Sequence, residues 1–217
     1  MERKNIEEML QKELCYCYGL LKETFSVDFL KPDLSITEKK DDGMTYMYES
    51  NSIGVPEHIA IYPSGFIGLS FLHELGHAFA CQENQELQPD NLLSLMNSNL
   101  EKCITYCIFH EGLADYMAIR CCKKSDNKEL RDEGAIEADK LWFKLNIEVK
   151  YTVPMFAKKK EKWQETVISM FPLYAARITD DRYLLGYHFF SNLKDKDVKR
   201  LVKSPPSTIG EIVYPQG

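Results

Sequence analysis

His73 and His77 stand one helical turn apart in FLHELGHAFA, residues 71 to 80, and Glu74 directly follows the first of them. On a helix this spacing puts both imidazoles on one face, where they can reach a single tetrahedral zinc at about 2.0 to 2.1 Å, while the adjacent carboxylate can contact a water on that metal. The surrounding pattern supports a helix over residues 66 to 83. Leu72, Leu75, Gly76 and Phe79 recur at i, i+3, i+4 and i+7 as a core-facing stripe, and the histidines occupy the face beside it. The competing reading is two part-buried histidines satisfied by ordinary hydrogen bonds. Against it, the chain has only five histidines, and two of them bracket a glutamate at this offset.

A catalytic zinc needs a third protein ligand and an open position. The pattern HExxHxxGxxH is not met, because Ala80 and Glu83 stand where it requires glycine and histidine. Cys81, one turn past His77, is geometrically possible but reads as a core thiol. The better source is ITYCIFHEGLADYMAIRCC, residues 104 to 122. Its apolar face runs Leu100, Ile104, Cys107 and Ile108, is interrupted by Glu111 and Asp115, and resumes with Ala118 and Cys122. A carboxylate buried without a partner costs several kcal/mol, so Glu111 calls for a metal, a cation or a strong donor. Asp115, one turn on, is placed to accept a hydrogen bond from the outer nitrogen of a metal-bound histidine and so fix its tautomer. Gly76 and Gly112 each cost about 1 kcal/mol relative to alanine inside a helix, and both are expected where two helices approach closely. His110 is expected to point away from the face of Glu111, and His58 falls on a candidate strand.

The elements that must position this group follow from periodicity. Residues 3 to 24 place Ile6, Met9, Leu10, Leu14, Cys17, Leu20 and Leu21 at helical spacing. Lys31 to Ser52, with Pro32, an Asp41-Asp42-Gly43 turn and the run MTYMYES, reads as strand, turn and strand. EHIAIYP, residues 57 to 63, reads as a further strand with Ile59 and Ile61 on one face. From Gly65 the pattern is helical over 66 to 83, 91 to 123, 128 to about 148, 158 to 171 and 181 to 194, punctuated by Pro154, Pro172 and the Asp180-Asp181 pair. The expected class is α+β in one domain: residues 1–64 form a helix and a small mixed or antiparallel sheet, 65–195 a mainly helical part with the metal site, and 196–217 an extended tail.

Composition narrows the partners. A chain of 217 residues with 44% hydrophobic content can bury a proper core. Its 27 basic against 33 acidic residues give a net charge of -6, which argues against nucleic acid or an anionic membrane surface as partner. The seven cysteines match no CxxC metal spacing and are expected to be reduced core thiols. MERKNIEEML lacks the apolar segment of a signal peptide, and no run approaches the ~18 apolar residues of a membrane span, so the expected location is cytoplasmic.

HELGH followed by EGLADY resembles the gluzincin branch of zinc metallopeptidases, over roughly residues 55 to 120, with Glu111, Ala114 and Asp115 reproducing its ExxAD pattern. The resemblance implies a zincin-like fold whose edge strand before the HExxH helix, here EHIAIYP, is offered to an extended peptide. It implies zinc held by His73, His77 and Glu111, with Glu74 as general base toward a zinc-activated water in peptide-bond hydrolysis. It also implies a tyrosine or histidine from the C-terminal helices as donor to the oxyanion. In RYLLGYHFFSNL, residues 182 to 193, the candidates in order are Tyr187, His188 and Tyr183. The expected partner is a peptide or protein substrate. Two other classes share the same residues: a regulatory or binding protein on a metallopeptidase scaffold, and a zinc hydrolase of a nonpeptide amide. Retention of Glu74 favours catalysis, since a binding module has no need of the base.

Overall fold

The computed structural model describes residues 3–37, 43–141 and 186–213. Helix α1 (Arg3–Phe25) buries Leu10, Leu14, Cys17 and Leu21 of the expected stripe together with Phe25, while Ile6, Met9 and Leu20 are partly buried against the same core. Just past its end Ser26 takes a positive φ of 52°, the left-handed turn in which helices commonly terminate. Three strands follow, β1 (Asp33–Thr37), β2 (Thr45–Met47) and β3 (Ser52–Pro56), in the order β1-β3-β2. The sheet is mixed: β1 runs parallel to β3 and β2 antiparallel to it. A turn in which the Asn51 N–H donates to the Tyr48 carbonyl at 3.2 Å joins β2 to β3. Asn51 sits there at φ 45°, a conformation asparagine tolerates better than most side chains. Central β3 is buried along its whole length, while β2 is a sheet edge and lies against helix α2 (Ser64–Glu83).

EHIAIYP is not the edge strand expected. Residues Glu57–Ile61 form a 3-10 turn, in which Ile59 is buried and Ile61 is 83% exposed. Pro56 ends β3, and the chain must turn within a few residues to enter α2 after Pro63. The alternation of two isoleucines imitates a strand, but only one of them has a core to enter. The edge strand beside the HExxH helix is therefore β2, supplied by the MTYMYES run.

The predicted helix over 91 to 123 is two helices, α3 (Pro89–Ser98) and α4 (Leu100–Lys124). Asn99 separates them in a non-helical conformation, and its side chain accepts the Lys102 N–H at 3.1 Å to start α4, the role in which asparagine is among the best residues. Helix α2 packs between α1 and α4 and is buried on most sides. Helix α5 covers 128–141 and α6 covers 186–191. The predicted segment 158 to 171, the end of the 128 to 148 stretch and Tyr183 lie outside the described residues.

The tail expected to be extended carries α7 (Val198–Lys203) and α8 (Ile209–Val213). Val198, Val202, Ile209 and Ile212 enter the core, so its prolines flank short helices instead of preventing them. A polar clasp fixes its start: Tyr116 Oη donates to Asp195 at 2.7 Å, and Arg120 donates to the same carboxylate through Nε and Nη2 at 3.0 and 2.7 Å. The seven cysteines form no disulfide; five are buried, Cys107 is half-buried and Cys15 is exposed. Among the described residues no helix is long and apolar enough to cross a membrane.

Candidate metal centre

The site is built where α2 crosses α4. A β-carbon added at Gly76 would lie 2.8 Å from the Ala114 Cα and 3.3 Å from its Cβ, so the crossing depends on a missing methyl on one helix and a small residue on the other. His73 and His77 bracket Gly76, and Glu111 and Asp115 bracket Ala114, so this contact brings all four polar side chains together. Gly112 has a different neighbour from the one its position suggests. A β-carbon there would fall 2.1 Å from the Gly186 backbone: this glycine admits α6, and with it Tyr187, against α4.

The inner nitrogens converge. His73 Nε2 and His77 Nε2 are 3.0 Å apart with their rings at 85°. Glu111 Oε2 lies 3.6 Å from the first and 3.4 Å from the second. On the outer side, His73 Nδ1 meets Asp115 Oδ1 at 2.8 Å, the tautomer-fixing contact expected of that aspartate. His73, Glu74 and His77 present ligand atoms within 4.8 Å of one another, a group that could hold a metal ion. Within it Glu74 is committed elsewhere by one oxygen, since its Oε2 accepts the Tyr46 N–H of β2 at 2.7 Å. Two imidazole nitrogens and one carboxylate oxygen form a donor set of the kind that binds zinc. Two imidazole nitrogens 3.0 Å apart are satisfied either by one N–H donating to the other's lone pair or by a cation between two lone pairs.

The electrostatics favour positive charge at the histidines. Burial by itself drives His73 toward neutrality, but the Asp115 and Glu111 carboxylates outweigh it and hold its pKa well above the ordinary 6.5. Burial likewise opposes ionisation of Glu111, yet hydrogen bonds from His73 and His77 keep its carboxyl far below the usual range. A pKa raised in this way favours the protonated imidazole at His73 in the metal-free site, where an ion would need the lone pair. Zinc binding near neutral pH is expected to release protons, measurable by titration calorimetry in buffers of different ionisation heat; binding without release would place the ion away from His73. Release should fade as pH rises through the raised His73 pKa, because the proton has then already left. For folding, the same raised pKa gives the metal-free protein a stabilisation that is complete below about 6.5 and lost as pH rises through the folded-state value.

His110 does not point away, as its sequence position suggested. Its Nε2 lies 3.3 Å from His77 Nδ1, with ring centroids 4.3 Å apart. Burial, and then the neighbouring His77, push its pKa down to about 3, so it is neutral. The available signal was that each ligand histidine wants a partner on its outer nitrogen; Asp115 answers for only one of them. Cys81 is not directed at the converging nitrogens: its thiol, pushed up to about 12 by burial, lies 3.7 Å from the Leu87 carbonyl and 3.8 Å from His110.

Of the C-terminal candidates, Tyr187 on α6 is half-buried and packs beside Ile119 and Leu141. Burial and then the charge of Asp115 raise its pKa. The ring of His188 makes no hydrogen bond or ion pair among the described residues, and its carbonyl accepts from Ser191 and Asn192. His58 lies on the 3-10 turn, its ring 6.4 Å from that of Tyr62. Comparison with family models, with curated proteins and with solved structures finds no match. The chain is therefore read from its own residues: an α+β protein with a small mixed sheet followed by helices and a possible His-Glu-His metal site in α2.

Proposed function

We propose that the protein is a zinc-dependent peptidase of the gluzincin type. The observation that carries this reading is the approach of His73 Nε2, His77 Nε2 and Glu111 Oε2 to one another, with Glu74 beside them and anchored by β2. His73, His77 and Glu111 would hold the zinc, which would supply Lewis acidity toward a water and a substrate carbonyl. Glu74 keeps one oxygen on the Tyr46 N–H, leaving the other to take a proton from the attacking water and deliver it to the departing amine. Asp115 holds the His73 ring so that Nε2 stays directed inward. The β2 edge, already against α2, is the element along which an extended peptide would lie. The Tyr187 hydroxyl is the first candidate for donor to the oxyanion; His188 comes second.

The test is cleavage of a peptide library by purified protein, read by mass spectrometry. Cleavage should be present with zinc, lost on chelation and restored by zinc. A loaded protein that cleaves no peptide would remove the peptidase reading and leave a metal-binding protein, and turnover confined to small nonpeptide amides would redirect it. In the same assay Tyr187→Phe removes one hydroxyl and leaves the ring to pack. Loss of an oxyanion donor lowers kcat roughly 10²- to 10³-fold with little change in KM. A silent Tyr187→Phe beside a crippled His188→Ala passes the role to His188.

A further inference from the structure

We propose that His110 is the positioning residue for His77, accepting the His77 Nδ1–H and so aiming the Nε2 lone pair inward; this rests on the metal-site reading above. An ion bound by both histidines needs both Nε2 atoms as lone pairs. The single proton of neutral His77 must then sit on Nδ1, and the atom facing it, 3.3 Å away, is His110 Nε2. That atom can accept only if His110 carries its own proton on Nδ1. The other donor in range, the Cys81 thiol, has the Leu87 carbonyl at 3.7 Å as an alternative acceptor and need not compete.

Helix α4 therefore supplies three functions. Glu111 meets the inner nitrogens, Asp115 holds His73 from one side, and His110 holds His77 from the other. The two outer partners differ in kind. Asp115 brings a negative charge, whereas a neutral imidazole orients His77 without adding a second one beside the ion.

The experiment compares wild type with His110→Phe, which keeps a ring and loses the acceptor, and with His110→Gln, which restores an acceptor through its side-chain oxygen. Zinc affinity is measured by chelator competition, melting temperature without metal serves as control, and long-range proton–nitrogen NMR reads the His77 tautomer. His110→Phe should weaken zinc binding about 10- to 100-fold, as loss of an outer partner does, with an unchanged metal-free melting temperature; His110→Gln should recover most of it. Wild type should hold His77 as the Nδ1–H tautomer. Equal affinity in His110→Phe and wild type, or an Nε2–H tautomer in wild type, overturns the proposal. A wild type that binds no zinc overturns the metal-site reading instead, and the tautomer measurement still decides His110. It also decides if the phenylalanine variant does not fold.

Discussion

Glu111→Ala protein should emerge from dialysis with its zinc gone while wild type keeps about one ion per chain. The side chain contributes one of three converging atoms, 3.6 and 3.4 Å from the two histidine nitrogens. It also compensates positive charge, since burial opposes its ionisation and the histidines still hold it ionised. Its removal takes away the one anionic member of the three converging atoms, a deficit larger than loss of an outer partner, which costs about 10- to 100-fold. Elemental analysis of the dialysed proteins checks this, and equal zinc in both would take Glu111 out of the site. Glu111→Gln separates charge from shape: it keeps an oxygen near the histidines and should fall between the two.

Glu74→Gln is expected to keep fold and zinc and to lose hydrolysis. The carboxamide oxygen can still accept the Tyr46 N–H that now holds Oε2 at 2.7 Å, so the side chain should stay in place. What disappears is the capacity to take a proton, and positioned general bases contribute roughly 10²- to 10⁴-fold. Turnover measured with the most readily cleaved library peptide, beside metal content for each protein, isolates that term. A variant that hydrolyses at the wild-type rate would show that another group serves as base, even with the zinc site intact.

The helical half of the site was legible because its signals are local. The turn spacing of His73 and His77 follows from helix pitch, and Glu111 and Asp115 stand out as carboxylates interrupting an apolar stripe. Gly76 could be read as a close approach, but its partner Ala114 is unremarkable until the helices are crossed. Gly112 carries an identical local signal and serves a different neighbour, because a glycine records that something approaches without recording what. His110 escaped for a related reason: one position from Glu111 it lies about 100° around the helix, which looks like another face until α2 crosses there. The strand assignments failed where period-2 alternation was too short to mean anything. Two isoleucines in EHIAIYP imitate a strand, whereas the true edge, Thr45–Met47, is three residues long and is defined by its pairing with β3.

The bond from Tyr46 to Glu74 divides the protein's competence into two parts that can be lost separately. The atoms that would grip the ion come from α2 and α4 and require only that those helices pair. The atom that orients the proposed base comes from residue 46, on a strand tied into the sheet through β3 alone. Regions with different local stability open independently, so on the proposed reading a partially denatured chain would keep a bound ion after its β2 edge has lifted, full by metal analysis and idle in turnover. The Tyr46 amide marks that boundary. A side-chain carboxylate, not a neighbouring strand, shields it, and its hydrogen exchange would report the docking of the sheet on the helices while the metal ligands stay assembled.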